Sequence, residues 1–271
     1  MTRNLLSFAC HVYGLAALVY LIHLVRQAGW LAQAGRVLVG GGLLVHGAAL
    51  LMQVADASSG VFGFSQGFSL LTFLLLTTML FVDLAWKRPV IGAFLLPVAL
   101  ALMIPAFIVG TGGSALPQGL RAPLLPVHIS IAILGVATIA VAAGVGVMYV
   151  VMERQVKSKN FGLLFARLPP LQTMDEINRW LVIIGFIALS VTLATGPFFD
   201  TTGPMWVWEP KRVATLVGWL LFAAVLAARI FAGWRGKRVA WATLAGFGVL
   251  LISFLSAYDF GAAATLAQGM P

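Results

Sequence analysis

Histidines are the residues in this chain whose type and position are best suited to bind a metal. Two of the four histidines interrupt apolar runs, His46 in GGGLLVHGAALLMQ and His128 in APLLPVHISIAIL. Neutral imidazole is a common metal ligand and a usual axial ligand of haem iron. A lone histidine in a membrane helix is by default hydrogen-bonded to a neighbouring helix, so ligation and packing both stay open for His46 and His128.

A second group of residues could hold a flat ligand. The segment TGPMWVWEPKR, residues 202–212, places Trp206 and Trp208 two positions apart beside a carboxylate. Pro210 can open a helix, and Glu209 then lies near the positive end of that helix dipole. The tryptophans are either an interfacial aromatic belt or apolar plates beside a porphyrin at the same membrane face as His128.

The composition fixes the class of protein that carries these residues. The chain is 61% hydrophobic and 9% charged, with a mean hydropathy of +1.01. Soluble domains carry roughly 25% charged residues, so this is an integral membrane protein. The net charge of +9 fits membrane topology and gives no reason to expect nucleic acid. The single cysteine, Cys10, can form no internal disulfide.

The apolar runs predict an all-α bundle of about eight transmembrane helices, because a span needs about 20 apolar residues. Loops between the runs are short, so we expect a single membrane domain over residues 1–271. The predicted spans are about 5–25, 36–54, 67–86, 90–110, 124–152, 179–198, 212–232 and 238–258.

Basic residues predict the orientation. One set of loops holds twelve of the 17 Lys and Arg residues and the other set holds four. Loops rich in Lys and Arg face the cytoplasm, so both termini and the 202–212 segment are predicted to be extracytoplasmic. The layout fits a multi-pass protein of a bacterial inner membrane.

Other polar residues in the spans are interpreted as structural. Asp83 and Arg229 lie near predicted cytoplasmic ends, where they are expected to snorkel to the interface. His11 and His23 are weaker ligand candidates than His46 and His128. An unrelated eight-helix carrier is an alternative, but the chain shows no matched pair of interrupted helices of the kind that transporters carry.

From about residue 121 to 258 the chain resembles the cytochrome c assembly family of CcsA/CcmC type, and most closely its short HemX- or YpjD-like members. The run MWVWEPKRVATLVGWLLFA is similar to the family's Trp-x-Trp-Asp-Pro-Lys loop and the helix after it. Glu209 stands where the family has aspartate, and Trp219 matches the helix tryptophan. LPVHISIAILGVA is similar to the helix that carries the family's first outer histidine, here His128.

The resemblance implies a protein that binds haem, expected as haem b, and presents it on the extracytoplasmic face. Trp206, Trp208 and Glu209 would then form part of a platform for the ring, and Lys211 or Arg212 would pair with its propionates. His128 would be the axial ligand, with His46 as a second or resting-site ligand. The implied partners are haem, a partner membrane subunit and an apocytochrome c that supplies the thiols, so the chain is at most a lyase subunit.

Two departures from the family pattern leave an alternative open. The tail SAYDFGAAATLAQGMP has no histidine, where the family usually has its second outer one. Arg229, in LAARIF, stands where the family has a histidine near the inner end of the seventh helix. The alternative is a non-catalytic HemX-like regulatory or assembly protein, linked to tetrapyrrole synthesis, that holds little or no haem.

Overall fold

A computed structural model describes residues 2–56, 64–108, 124–159, 162–199 and 210–256 of the chain. Within these ranges the regular structure is helical throughout. The α-helices are α1 (Thr2–Arg26), α2 (Gly29–Asp56), α3 (Phe64–Trp86), α4 (Val90–Ile108), α5 (Leu125–Ser158), α6 (Leu163–Arg167), α7 (Leu171–Thr195), α8 (Pro210–Phe231) and α9 (Lys237–Ser256). A 3₁₀ turn, Gly196–Phe199, follows α7.

Eight of the described helices are long and apolar enough to cross a membrane, which confirms the predicted all-α fold. The short helix α6, between the fifth and sixth predicted spans, was not predicted. Two helices begin earlier than predicted, α2 at Gly29 instead of 36 and α7 at Leu171 instead of 179. Hydropathy falls where Gln, Glu and Arg appear, but these residues favour helix, so each helix continues beyond its apolar run.

The bundle consists of two four-helix halves. In the first half, α1 packs on α2 and α4, and α3 packs on α2 and α4. In the second, α5 packs on α7 and α9, and α8 packs on the same two helices. Contact between α3 and α5 joins the halves. Each half therefore closes on itself, as in a helical bundle with short connections between antiparallel neighbours.

Asp83 of α3 anchors the first half at the end of the bundle that carries the basic loops, hereafter the basic end. Its carboxylate is fully buried and accepts two hydrogen bonds from Arg36 of α2, at 2.8 and 3.0 Å. The Tyr20 hydroxyl of α1 donates a third, at 2.8 Å. The interpretation that Asp83 snorkels is wrong, because two neighbouring helices supply the partners that water would otherwise supply.

Arg229 of α8 makes the corresponding ion pair in the second half. Its side chain is only 7% exposed, and two of its nitrogens donate to the carboxylate of Asp175 on α7, at 3.0 and 3.2 Å. It also donates to the Asn178 side chain at 3.2 Å. The snorkelling interpretation is wrong here too, because the guanidinium turns into the α7–α8 contact and is neutralised there.

Replacing Arg36 by methionine tests the anchor of the first half. The buried Asp83 carboxylate would keep only the Tyr20 bond, so we expect Arg36→Met to lower the free energy of unfolding by about 3 kcal/mol. Thermal unfolding in detergent measures the change. Lys87→Gln, which removes an exposed cation at the same end, is the control. Equal thermal unfolding midpoints for the two variants would contradict the prediction.

Candidate functional site

His128 lies in the first turn of α5, at the end of the bundle away from the basic loops. Its backbone N–H bonds to the Leu124 carbonyl at 3.0 Å. Pro126 is tolerated two residues earlier because the first N–H groups of a helix have no intrahelical acceptor. The imidazole is half-buried against α7. Helix α5 therefore presents this side chain at the margin of the second half, beside the end of α7.

Thr195 of α7 determines which ring nitrogen of His128 carries the proton. The Thr195 hydroxyl is 2.7 Å from the Val191 carbonyl, which can only accept. The same oxygen lies 2.7 Å from Nδ1 of His128. A hydroxyl has one proton to donate, so Nδ1–H donates to Thr195. In a neutral imidazole the lone pair is then on Nε2, and such a nitrogen can coordinate a metal.

Two residues of α7, Ser190 and Phe186, hold the side chain of Trp219 of α8. Its indole N–H donates to the Ser190 hydroxyl at 2.8 Å. That hydroxyl in turn donates to the Phe186 carbonyl at 2.8 Å. The Phe186 and Trp219 rings stack with centroids 5.3 Å apart. Two positions on α7 thus fix the side chains of His128 on α5 and Trp219 on α8.

His46 lies in the other half of the bundle, fully buried on α2. Its Nδ1 is 3.3 Å from the Tyr13 hydroxyl of α1, and its Nε2 is 2.9 Å from the Ser69 hydroxyl of α3. Phe73 packs edge-on against the imidazole ring. A neutral imidazole has one donor and one acceptor nitrogen, and both are engaged. To bind iron, His46 would have to give up one of these two bonds.

Gly42 allows the close approach of α1 that this network requires. A Cβ added at Gly42 would lie 2.5 Å from the Tyr13 ring, whereas one added at Gly41 would meet nothing within 4 Å. The sequence left open whether His46 binds a metal or packs against a neighbouring helix. At Gly42 the occupant is the Tyr13 ring of a neighbouring helix.

Of the remaining predicted site residues, the structure describes only two, and both are helical. Trp206, Trp208 and Glu209 lie outside the described residues. Lys211 and Arg212 lie in the first turn of α8. Because α7 and α8 are antiparallel neighbours, this turn is at the same end of the bundle as His128. His46 and His128 are placed in different halves.

Thr195, Ser190 and Asp175 were not singled out from the sequence. Hydroxyl residues are common near helix ends, and nothing in their spacing marks a partner on another helix. Their roles follow from the packing of α7 between α5 and α8.

Comparisons with known proteins identify the family of the chain. Residues 41–258 match the family described as "Cytochrome C assembly protein". A "Cytochrome c biogenesis protein CcsA" of Guillardia theta is 28% identical over 233 residues, which cover 75% of this chain and 75% of that protein. A protein of the same name from Prochlorococcus marinus (strain NATL1A) is 28% identical over 213 residues, 65% of this chain and 66% of that protein.

A solved structure titled "Cytochrome c Heme Lyase CcmF" shares the fold, with a TM-score of 0.67 and 19% identity. The alignment covers 97% of this chain but 48% of the lyase, so the chain spans about half the length of that protein. The names of these relatives describe cytochrome c biogenesis, and the comparisons do not favour the regulatory alternative.

Gly42→Ala tests the packing around His46. A methyl group here displaces the Tyr13 ring, and we expect the free energy of unfolding to fall by about 1–3 kcal/mol. Gly41→Ala is the matched control, because it adds the same group to open space and gains helix propensity of up to about 1 kcal/mol. Thermal unfolding in detergent compares the two variants. A Gly42→Ala protein as stable as Gly41→Ala would show that α1 is not packed closely on this turn.

Proposed function

Because the chain belongs to the cytochrome c assembly family, we propose that it binds haem through His128 and presents it at the end of the bundle away from the basic loops. It is a multi-pass membrane protein of cytochrome c assembly. The observation that carries the proposal is the bond from Nδ1–H of His128 to Thr195. Ligating histidines typically donate their second ring N–H to a neighbouring acceptor, which fixes the tautomer and the orientation of the ring.

The residues at this margin fit one histidine ligand of a haem. Haem, when bound, would supply an iron atom that accepts the lone pair of an imidazole nitrogen. In the proposal His128 would coordinate through Nε2, and its ring is oriented by a hydroxyl whose own proton is donated to the helix backbone. Thr195 therefore acts as a positioning residue in the proposal, since it selects the tautomer without touching the iron.

We assign residues 206–212 to the porphyrin itself. Trp206, Trp208 and Glu209 would flank the ring, and a cation at Lys211 or Arg212 would pair with a propionate. The position of α8 supports this assignment, because the stacking of Trp219 on Phe186 and its bond to Ser190 fix α8 against α7. The same helix α7 orients His128, so the two parts of the proposed site share one support.

His46 enters the proposal only as a second or resting-site ligand. Its ring would have to exchange the Ser69 or the Tyr13 hydroxyl for the iron. That exchange costs a buried hydrogen bond and leaves a buried hydroxyl to be satisfied elsewhere. This cost counts against His46 as the primary ligand.

The wider setting follows from the same proposal. We propose haem b as the bound form, an apocytochrome c as the recipient and a partner membrane subunit, with residues 1–271 acting as a single membrane domain. A bacterial inner membrane, with both termini and the haem site on its extracytoplasmic side, fits the distribution of basic loops. The chain spans about half the length of the lyase, so a complete lyase activity is assigned to it only together with a partner.

Replacement of His128 tests the ligand assignment. Wild-type protein purified in detergent and mixed with haemin is expected to give a Soret band shifted from that of free haemin, and His128→Ala to lose the shift. Among the described residues, the exposed His11 contacts a backbone carbonyl of its own helix. His11→Asn is therefore the matched control and should keep the Soret shift. The ligand assignment fails if His128→Ala and wild type give the same spectrum.

Replacement of Thr195 tests the orientation of the ring. Thr195→Val keeps the shape but removes the acceptor, and loss of such a partner typically costs 10–100-fold in metal affinity. We expect haemin affinity to fall by about that factor in Thr195→Val and to stay near wild type in Thr195→Ser. Titration followed at the Soret band gives the affinities. Equal affinities for the valine and serine variants would remove the positioning role while leaving His128 as a ligand.

A further inference from the structure

A cleft of about 920 Å³ opens at the basic end of the second half. It lies between the last turns of α5, the first turns of α7, the end of α8 and the turn that leads into α9. Its lining includes Tyr149, Glu153, Arg179, Trp234, Arg235 and Arg238. This basic cleft is at the opposite end of the bundle from His128 and takes no part in the proposed haem site.

The floor of the basic cleft is electrically neutral. Asp175 is paired with Arg229 and also accepts the backbone N–H of Gly236 at 2.9 Å. That bond places a carboxylate at the positive end of α9 and fixes the preceding turn, in which Gly233 and Gly236 have φ of +65° and +66°. Glu153 is paired with Lys157 at 2.6 Å. Three acidic side chains line the cleft, and two of them, Asp175 and Glu153, are thus neutralised within the protein.

The rim of the basic cleft is cationic. Four exposed basic side chains line it, namely Arg179, Arg235, Lys237 and Arg238. None of the four makes an ion pair within the described part of the chain. The Arg179 guanidinium lies 5.4 Å from the centroid of the Trp180 ring, a cation–π contact that restrains it. Glu176 is the one lining carboxylate left outside the neutral floor. The rim therefore has an excess of positive charge that an anion could neutralise.

Tryptophans indicate the depth of this rim in the membrane. Trp180 on α7 is 44% exposed and Trp241 on α9 is 48% exposed, both on outward faces of membrane-spanning helices. Exposed tryptophans on such helices favour the interface at the level of the lipid headgroups. Arg179 precedes Trp180 directly, and Arg238 lies about one helical turn before Trp241. The cations are therefore at headgroup depth, where the available anion is a lipid phosphate.

We propose that the basic cleft binds the phosphate-bearing headgroup of an anionic phospholipid. Guanidinium groups match phosphate oxygens in two-point contacts, and basic pockets between membrane helices are suited to anionic headgroups. The aromatic rings of Tyr149 and Trp234 line the same cleft and give the glycerol and upper acyl region an amphipathic surface. The site would couple α5, α7 and α9 to one lipid molecule.

Native mass spectrometry of the full chain in neutral detergent tests the proposal. Dioleoyl phosphatidylglycerol and dioleoyl phosphatidylcholine are added at equal concentration, and the lipid adducts are counted. The test variant is Arg179→Gln with Arg235→Gln and Arg238→Gln. The matched control, Arg26→Gln with Lys87→Gln and Arg154→Gln, removes three exposed cations of the same end outside the cleft. Size exclusion and thermal midpoints confirm that both variants are folded.

We expect the wild type and the control to retain phosphatidylglycerol in preference to phosphatidylcholine, and the cleft variant to lose about tenfold or more of that preference. The single variants Arg179→Gln and Arg238→Gln should each give a partial loss. Equal losses in the cleft variant and the control would reduce the effect to general surface charge and overturn the proposal. Displacement of the lipid by excess inorganic phosphate would identify a free-anion site and overturn the lipid assignment.

Discussion

Every polar group placed inside a hydrocarbon layer must find its partner within the protein, and this constraint determines most of the architecture. It favours helices, because a helix satisfies its backbone hydrogen bonds within one segment. It also governs the side chains, since Asp83, Arg229 and His46 are buried and each is bonded to residues of neighbouring helices. The polar contacts therefore fix which helices pack together, and the apolar surfaces fill the remaining space.

Helix α7 shows how the same constraint builds a site. Thr195 and Ser190 each donate their hydroxyl proton back to a carbonyl of their own helix and use the oxygen to accept from another. The acceptors fix His128 on one side and Trp219 on the other. At the far end of α7, the Asp175 carboxylate accepts hydrogen bonds from Arg229 of α8 and from the Gly236 N–H in the turn before α9. One helix thus aligns three neighbours at both ends of the bundle.

The sequence predicts the number and order of the spans well, because long apolar runs have few alternatives in a chain this hydrophobic. It misplaces the starts of α2 and α7, since hydropathy reports where the membrane ends and not where the helix ends. Asp83 and Arg229 are misinterpreted for a related reason, because their partners Tyr20, Arg36 and Asp175 are distant in sequence. His128 is predicted as a ligand because its segment resembles a family motif. Thr195 is recognised as its partner only once α5 and α7 are packed together.

The central claim is that the imidazole of His128 can coordinate haem iron through Nε2. The most direct measurement is pulsed electron paramagnetic resonance of the ferric haem complex of a variant labelled with ¹⁵N-histidine. His11→Asn, His23→Asn and His46→Asn together leave His128 as the only one of the four histidines. A ¹⁵N hyperfine coupling to the iron in this folded variant is the predicted result. A bound haem without that coupling, or a folded protein that retains no haem, would contradict the claim.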